Sequence, residues 1–227
     1  MKIFFTKFIF ICILTFSFIT ESTGKLPDPI KQFFYEQELE KQDEYFRELS
    51  LNKLFEERFL VPTLTALNYY PELKGTSIQL IEKNIKTTML CHPKSNFLFK
   101  KKEKRNYLIA IDNKLRKNRG ILLDSVPFNA QIGVIGHELG HVVDYSGKTN
   151  MGVLFTGIGY LFPKYRRNLE EQIDRITIEH GLGYQVKNFS DFVVNHSNAS
   201  EKYLKYKLKY YFTPAQIMSV ISQYSIY

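Results

Sequence analysis

The pentapeptide His137-Glu138-Leu139-Gly140-His141 constrains this chain more than any other feature. Residues four apart on an α-helix lie one above the other, so both imidazoles can reach a single metal ion if this stretch is helical. Glu138 is then offset around the helix, beside the open position of the metal, where it can take a proton from water. The pattern therefore predicts a zinc (Zn2+) site formed by His137 and His141, with Glu138 as the catalytic base. The alternative is a helix on which both histidines are ordinary core or surface residues.

The flanking sequence favours a helix over residues 129–145. Its apolar residues recur at steps of three and four and form one face: Ile132, Ile135, Leu139 and Val142. His137 and His141 lie off this face, as a metal site on the floor of a cleft requires. Glycines at 133, 136 and 140 each lower helix propensity by about 1 kcal/mol relative to alanine. We therefore expect a neighbouring backbone or a substrate to approach closely there, with loose packing as the alternative.

A third ligand is required, because catalytic zinc usually has three protein ligands and one open position. The next stretch with helical periodicity, residues 168–180, carries Glu170 and Asp174 four apart on one side. In this the chain resembles the gluzincin branch of the zincin metallopeptidases, in which the His-Glu-x-x-His helix is followed by a helix with Glu-x-x-x-Asp. The resemblance covers about residues 127–184. It implies that Glu170 is the third zinc ligand and that Asp174 fixes the orientation of a ligand histidine by accepting its distal N–H.

Other polar residues near these motifs are alternatives. Glu171 competes with Glu170 as a ligand, but it lies about 100° further around the helix. Asp144, on the last turn of the first helix, is expected to form a salt bridge rather than to bind the metal. Candidates for the group that stabilises a developing oxyanion are His180, Tyr184 and His196.

Residues 76–124 contain short apolar runs separated by polar residues or glycine, which is typical of three or four strands. The runs are Thr76–Glu82, Ile85–Cys91, Asn106–Asp112 and Gly120–Asp124. We predict an α+β, zincin-like fold in which a small, mostly antiparallel sheet packs on the active-site helix, with helices at the N- and C-terminal ends. The resemblance implies that one strand lies at an edge of the sheet and receives an extended peptide, and residues 106–112 are the candidate.

The start of the chain has the pattern of a signal peptide. Lys2 and Lys7 precede the apolar run 8–20, and Ser22 and Gly24 have the spacing of a cleavage site. We therefore predict export, so that the protein is secreted or lies in the periplasm or cell envelope. An uncleaved membrane anchor is the alternative.

The predicted organisation is a signal peptide (1–24), an N-terminal helical segment (25–75) and a zincin-like metallopeptidase domain (76–227). Removal of the signal peptide leaves Cys91 as the only cysteine, so no intramolecular disulfide can form. Cys91 lies in a predicted strand, and we expect its thiol to be buried.

The chain is basic, with 31 Lys and Arg, 23 Asp and Glu, and a net charge of +8. The basic loops 100–105 and 114–119 are expected to be solvated hairpin tips. No nucleic-acid motif accompanies them, so we expect no nucleic-acid partner. Peripheral association with the cell envelope or a membrane surface stays open as an interpretation of the positive charge.

The apolar, glycine-containing stretch 151–162 is too short to span a bilayer. We expect it to form a wall of the active-site cleft, and the alternative is that it contacts a membrane surface.

Together these features predict a secreted or envelope-facing zinc metallopeptidase that acts on a peptide or protein substrate. The alternative is a catalytically silent, metal-binding adaptor on the same scaffold. Glu138 counts against the adaptor, because a purely structural zinc ion needs no base.

Overall fold

The computed structural model describes residues 30–39, 47–114 and 120–227. The predicted signal peptide (1–24) and most of the basic loop 114–119 lie outside these residues. The strands are β1 (Lys53–Phe55), β2 (Ser77–Lys83), β3 (Met89–Pro93) and β4 (Asn106–Asp112). The α-helices are α1 (Glu36–Leu39), α2 (Leu60–Leu67), α3 (Phe128–Gly147), α4 (Asn150–Gly159), α5 (Pro163–Thr177), α6 (Gly183–Asp191), α7 (Glu201–Tyr210) and α8 (Pro214–Ile221).

The four strands form one mixed sheet in the order β1-β2-β4-β3. β1 and β4 both pair with β2 in parallel, and only β3 runs antiparallel, against β4. The fold is therefore α+β as predicted, but the prediction of a mostly antiparallel sheet was wrong. The physical reason is the β1-α2-β2 unit: the residues between β1 and β2 are long enough for a helical crossover, and such a connection makes its two strands parallel.

Two further details of the sheet differ from the sequence prediction. Strand β4, predicted to be an edge, lies between β2 and β3, and its buried side chains explain its nearly continuous apolar sequence. The edge beside the site is β3 instead, with the buried Cys91 at its centre as expected. Residues 120–124 form no strand. Gly120 instead lies so close to the β3 side of the sheet that a Cβ on it would be 2.7 Å from the backbone nitrogen of Thr88.

The N-terminal segment (25–75), predicted to be helical, also supplies strand β1 to the sheet. Pro62 lies in the first turn of α2, where its missing N–H costs no hydrogen bond. Phe34 is tied to α3 by two hydrogen bonds with the side chain of Asn129, at 2.8 and 2.9 Å.

Helix α3 runs through the centre of the molecule, and most of its residues are buried. It packs on β3, α2, α5 and α6. The chain kinks after α5 at Gly181, whose φ of +88° is favourable only for glycine, and α6 continues along α3 in the same direction. The predicted C-terminal helix is present as α8, with Thr213 as its N-cap and Pro214 at its first position.

Among the described residues, no helix combines the length and apolar character needed to cross a bilayer.

Candidate metal centre

His137, His141 and Glu170 converge on one point between α3 and α5. Their ligand atoms all lie within 4.8 Å of one another, and all three residues are buried. Glu170 Oε2 is 3.1 Å from His137 Nε2 and 3.5 Å from His141 Nε2. Ligands about 2.0–2.2 Å from a tetrahedral zinc ion are separated by about 3.3–3.5 Å, so the two distances from Glu170 are close to those expected around one metal ion.

The surroundings of His137 also fit a bound cation. Its Nδ1 lies 2.8 Å from Asp174 Oδ1, and its Nε2 faces Glu170. A neutral imidazole has one N–H, so it can donate to only one of these carboxylates, and the other nitrogen needs a proton or a metal. Burial lowers the pKa of His137, but the hydrogen bonds to Asp174 and Glu170 outweigh burial and raise it to about 10. A positive charge, carried by a proton or by a metal ion, is therefore favoured between His137 and Glu170.

Asp174 is held in place from both sides. Its Oδ1 accepts from His137, and its Oδ2 accepts the backbone N–H of Phe212 at 3.2 Å. With Nδ1–H donated to Asp174, Nε2 is the nitrogen that faces Glu170 and would bind a metal ion. The geometry thus fits the orienting role that the resemblance implies for Asp174.

Glu170 is positioned by the first turns of α5. This helix begins with Pro163 at its first position and buries Leu169 and Ile173, which turns Glu170 inwards. The Tyr160 hydroxyl donates to Glu170 Oε1 at 2.5 Å, leaving Oε2 for the histidines. Burial raises the pKa of Glu170, but hydrogen bonds to the two imidazoles outweigh burial and hold it well below its usual range.

The competing carboxylates lie elsewhere. Glu171 accepts from Arg167 Nε at 2.7 Å on the outer side of α5. Asp144 forms the expected salt bridge, with Lys148 Nζ at 2.5 Å, and also accepts from Gln172. Neither residue belongs to the group of three potential ligands.

Glu138 lies beside this group and is 6% exposed. Its Oε2 is buried and has no hydrogen-bond partner among the described residues. Burial raises the pKa of Glu138, although the two neighbouring imidazoles partly oppose the shift. A carboxylate with a raised pKa and a free oxygen can accept a proton from water and then release it again.

A cavity opens next to His137 and Glu138. Its apolar wall comes from α3, α6, the following turn and the C-terminal region: Val134, Val186, Phe189, Val193, Phe212 and Ile217. Met89 of the edge strand β3 also lines it. A side chain of a bound molecule could therefore occupy an apolar space directly beside the potential metal ligands.

Three functional candidates were not identified from sequence. Tyr160 binds Glu170, Lys207 lines the cavity, and the ring of Tyr211 lies 5.6 Å from that of His137. Burial lowers the pKa of Lys207, but neighbouring tyrosines and the carboxylates of Glu170 and Glu138 outweigh it, so the net shift is upward. The only sequence signal for Lys207 and Tyr211 was the alternation of tyrosine and lysine in 203–211, and no signal pointed to Tyr160.

The oxyanion candidates predicted from sequence do not line the cavity. His180 stacks on Tyr70 and bonds to Glu72, and Tyr184 packs edge-on against Tyr227. His196 is largely exposed near Asp191. Their contacts are those of structural or surface residues.

The structure thus brings His137, His141, Glu170, Glu138 and Asp174 together in one buried site. Comparisons with known protein families, curated proteins and solved structures found no match to this chain. The character of the site follows from its own geometry: it is a buried two-histidine, one-carboxylate group that could hold a metal ion.

Proposed function

We propose that this protein is a secreted or envelope-facing zinc metallopeptidase of the gluzincin type. The observation that carries the proposal is the convergence of His137, His141 and Glu170 with the free carboxylate of Glu138 alongside. Two imidazoles and one carboxylate are a ligand set used by catalytic zinc, which keeps its fourth position open. A structural zinc site closes all four positions and needs no adjacent base.

Bound zinc would supply Lewis acidity, lowering the pKa of water and polarising the scissile carbonyl. Glu138 accepts the proton of the attacking water on its free oxygen and passes it to the leaving amine. Its raised pKa makes Glu138 a stronger base and so favours the first of these transfers, from water. Asp174 keeps the imidazole of His137 in one tautomer, and Tyr160 holds the unused oxygen of Glu170.

The edge strand β3 is the proposed backbone-binding element for substrate. Within the described part of the chain, β3 pairs only with β4. It packs on α3, and Met89 at its start lines the cavity. An extended peptide that added to this edge would place one of its side chains in the apolar cavity and its backbone near Glu138. Pairing through the backbone would make recognition broadly tolerant of sequence.

The test combines metal analysis with a peptide-library digest. Purified protein is expected to contain one zinc ion per chain and to cleave peptides. Glu138→Gln is expected to keep the zinc and to lose about 10²–10⁴-fold in kcat/KM, because only the proton acceptor is removed.

Two results would reject the proposal in different ways. Protein that binds zinc stoichiometrically but cleaves no peptide, with Glu138→Gln indistinguishable from wild type, would favour a metal-binding adaptor. Protein that neither contains nor takes up a transition metal would remove the basis of both interpretations.

A further inference from the structure

Helix α4 turns its apolar side outwards, the reverse of a normal surface helix. Its inward residues are Val153 and Thr156, at 5% and 2% exposure. The outward residues recur at steps of three and four: Met151, Leu154, Phe155 and Ile158. Phe155 is 60% exposed, and the helix contains no charged residue. Leu161 and Phe162, which follow the helix, are 74% and 62% exposed.

A second exposed segment lies against the same helix. The turn Ser95–Phe99 contacts α4 and presents Leu98 and Phe99, the latter 91% exposed. The two segments are joined at Asn150, whose side-chain amide donates to the carbonyls of Leu98 and Lys100 at 3.1 and 3.0 Å. We call the exposed apolar residues of these segments the apolar face; they are Leu98, Phe99, Met151, Leu154, Phe155, Ile158, Leu161 and Phe162. Scattered exposed apolar residues are normal, but a contiguous face of this kind marks an interaction surface.

Positive charge borders the apolar face. Lys101, Lys102 and Lys104 are exposed directly after Phe99, and only Glu103 opposes them within that turn. Arg105 ties the turn to α4, because its Nε and Nη2 donate to Asn150 Oδ1 at 3.0 and 2.5 Å. On the other side, Lys164 is exposed just after Phe162.

We propose that the apolar face docks the protein on an anionic lipid bilayer, with α4 lying in the plane of the membrane interface. Apolar side chains on one face and lysines at its border are the pattern of an interfacial helix, which inserts about 5–10 Å into the headgroup region. The lysines add electrostatic attraction to anionic headgroups. A second copy of the chain fits this face less well, because two such faces would bring their lysine borders together.

Docking would place the candidate metal centre near the lipid surface. Tyr160, the residue after α4, reaches Glu170 with its hydroxyl. The docking itself does not depend on catalysis, since it rests on the apolar face and its charges alone.

A tryptophan reporter tests the proposal, because the chain contains no tryptophan of its own. Phe155→Trp in the full chain is mixed with phosphatidylcholine vesicles containing about one third phosphatidylglycerol. We expect a blue shift of its emission and quenching by brominated acyl chains, both weakened by added salt. The matched control is Leu51→Trp, since Leu51 is also 60% exposed but precedes β1, at the opposite edge of the sheet. Its emission should not change.

A charge placed in the apolar face should reverse the signal. Leu161→Asp, introduced into the Phe155→Trp protein, should weaken vesicle binding by about tenfold or more, whereas Leu51→Asp should leave it unchanged. Because each reporter senses only its own surroundings, attachment through another part of the chain leaves the reporter at position 155 unquenched, and that result overturns the proposal. A dimer in gel filtration that Leu161→Asp converts to a monomer, without quenching on vesicles, would assign the face to a second copy instead.

Discussion

At the scale of single residues, Glu170 contacts both site histidines and Tyr160. Its two carboxylate oxygens make different contacts: Oε1 accepts a hydrogen bond from Tyr160, and Oε2 faces both imidazoles. Glu171, its neighbour, is bound by Arg167 outside the site. The two glutamates therefore form a natural pair for a substitution experiment.

Glu170→Gln should lower zinc affinity by at least about 100-fold, because a neutral amide replaces an anionic donor in direct contact with the metal position. Glu171→Gln should leave the affinity unchanged. Competition with a chromophoric chelator measures both dissociation constants. Equal affinities for the two variants would mean that Glu170 does not bind the metal.

His180 gives a pH-dependent prediction away from the metal centre. Its Nδ1 and Nε2 lie 2.7 Å from the Ile176 carbonyl and from Glu72, so both nitrogens must donate and the ring is charged. Burial lowers the pKa of His180, but the hydrogen bonds to Glu72 and Ile176 outweigh it, so the folded-state pKa is above 6.5. Burial raises the pKa of Glu72, but its hydrogen bond to His180 outweighs this and gives a net lowering.

The sign of the effect follows from these two shifts. The stability that the charged His180 adds to the fold is fully present below pH 6.5 and is lost as pH rises through its raised pKa. The stability that the ionised Glu72 adds is lost when acid protonates its carboxylate. Near pH 6 the unfolding free energy of wild type should therefore be higher than that of His180→Gln by about 1 kcal/mol or less. This difference should become smaller above neutral pH. Urea denaturation at several pH values measures it, and an excess that grows with pH would contradict the assignment.

At the scale of elements, the glycines of α3 explain how the site is assembled. A Cβ on Gly133 would lie 2.1 Å from the backbone oxygen of Gln185 in α6, and one on Gly140 would lie 3.1 Å from Ile173 in α5. The close approach expected from sequence is therefore made by neighbouring helices. It brings α5, with Glu170, within reach of the histidines of α3.

Gly133→Ala should destabilise the fold by about 1–3 kcal/mol, because the clash is with backbone and no rotamer change can relieve it. Gly147→Ala, at the end of the same helix, has no heavy atom within 4 Å of its new Cβ. It should be neutral or stabilising by up to about 1 kcal/mol through helix propensity. Thermal unfolding compares the two, and similar destabilisation by both would show that packing at Gly133 is not the cause.

At the scale of the whole molecule, a metal ion would join α3 to α5. Ligand that binds only the folded state at about 1,000 times its Kd adds about 4 kcal/mol to stability. Chelation should thus lower the melting temperature by on the order of 10 °C, and zinc should restore it. Glu170→Gln should show a much smaller shift. An unchanged melting temperature in wild type would mean that no metal contributes to the fold.

The sequence alone determined the local geometry of the site, because helical spacing places His137 over His141 and Glu170 beside Asp174 within single helices. It also predicted β2, β4 and the C-terminal helix, whose patterns are local. Tertiary structure alone decided the parallel pairing of β1 with β2, the edge position of β3, the roles of Tyr160 and Lys207, and the outward apolar side of α4. These features depend on contacts between residues far apart in the chain. The periodicity of apolar residues along one helix or strand does not show which other element packs against each of its faces.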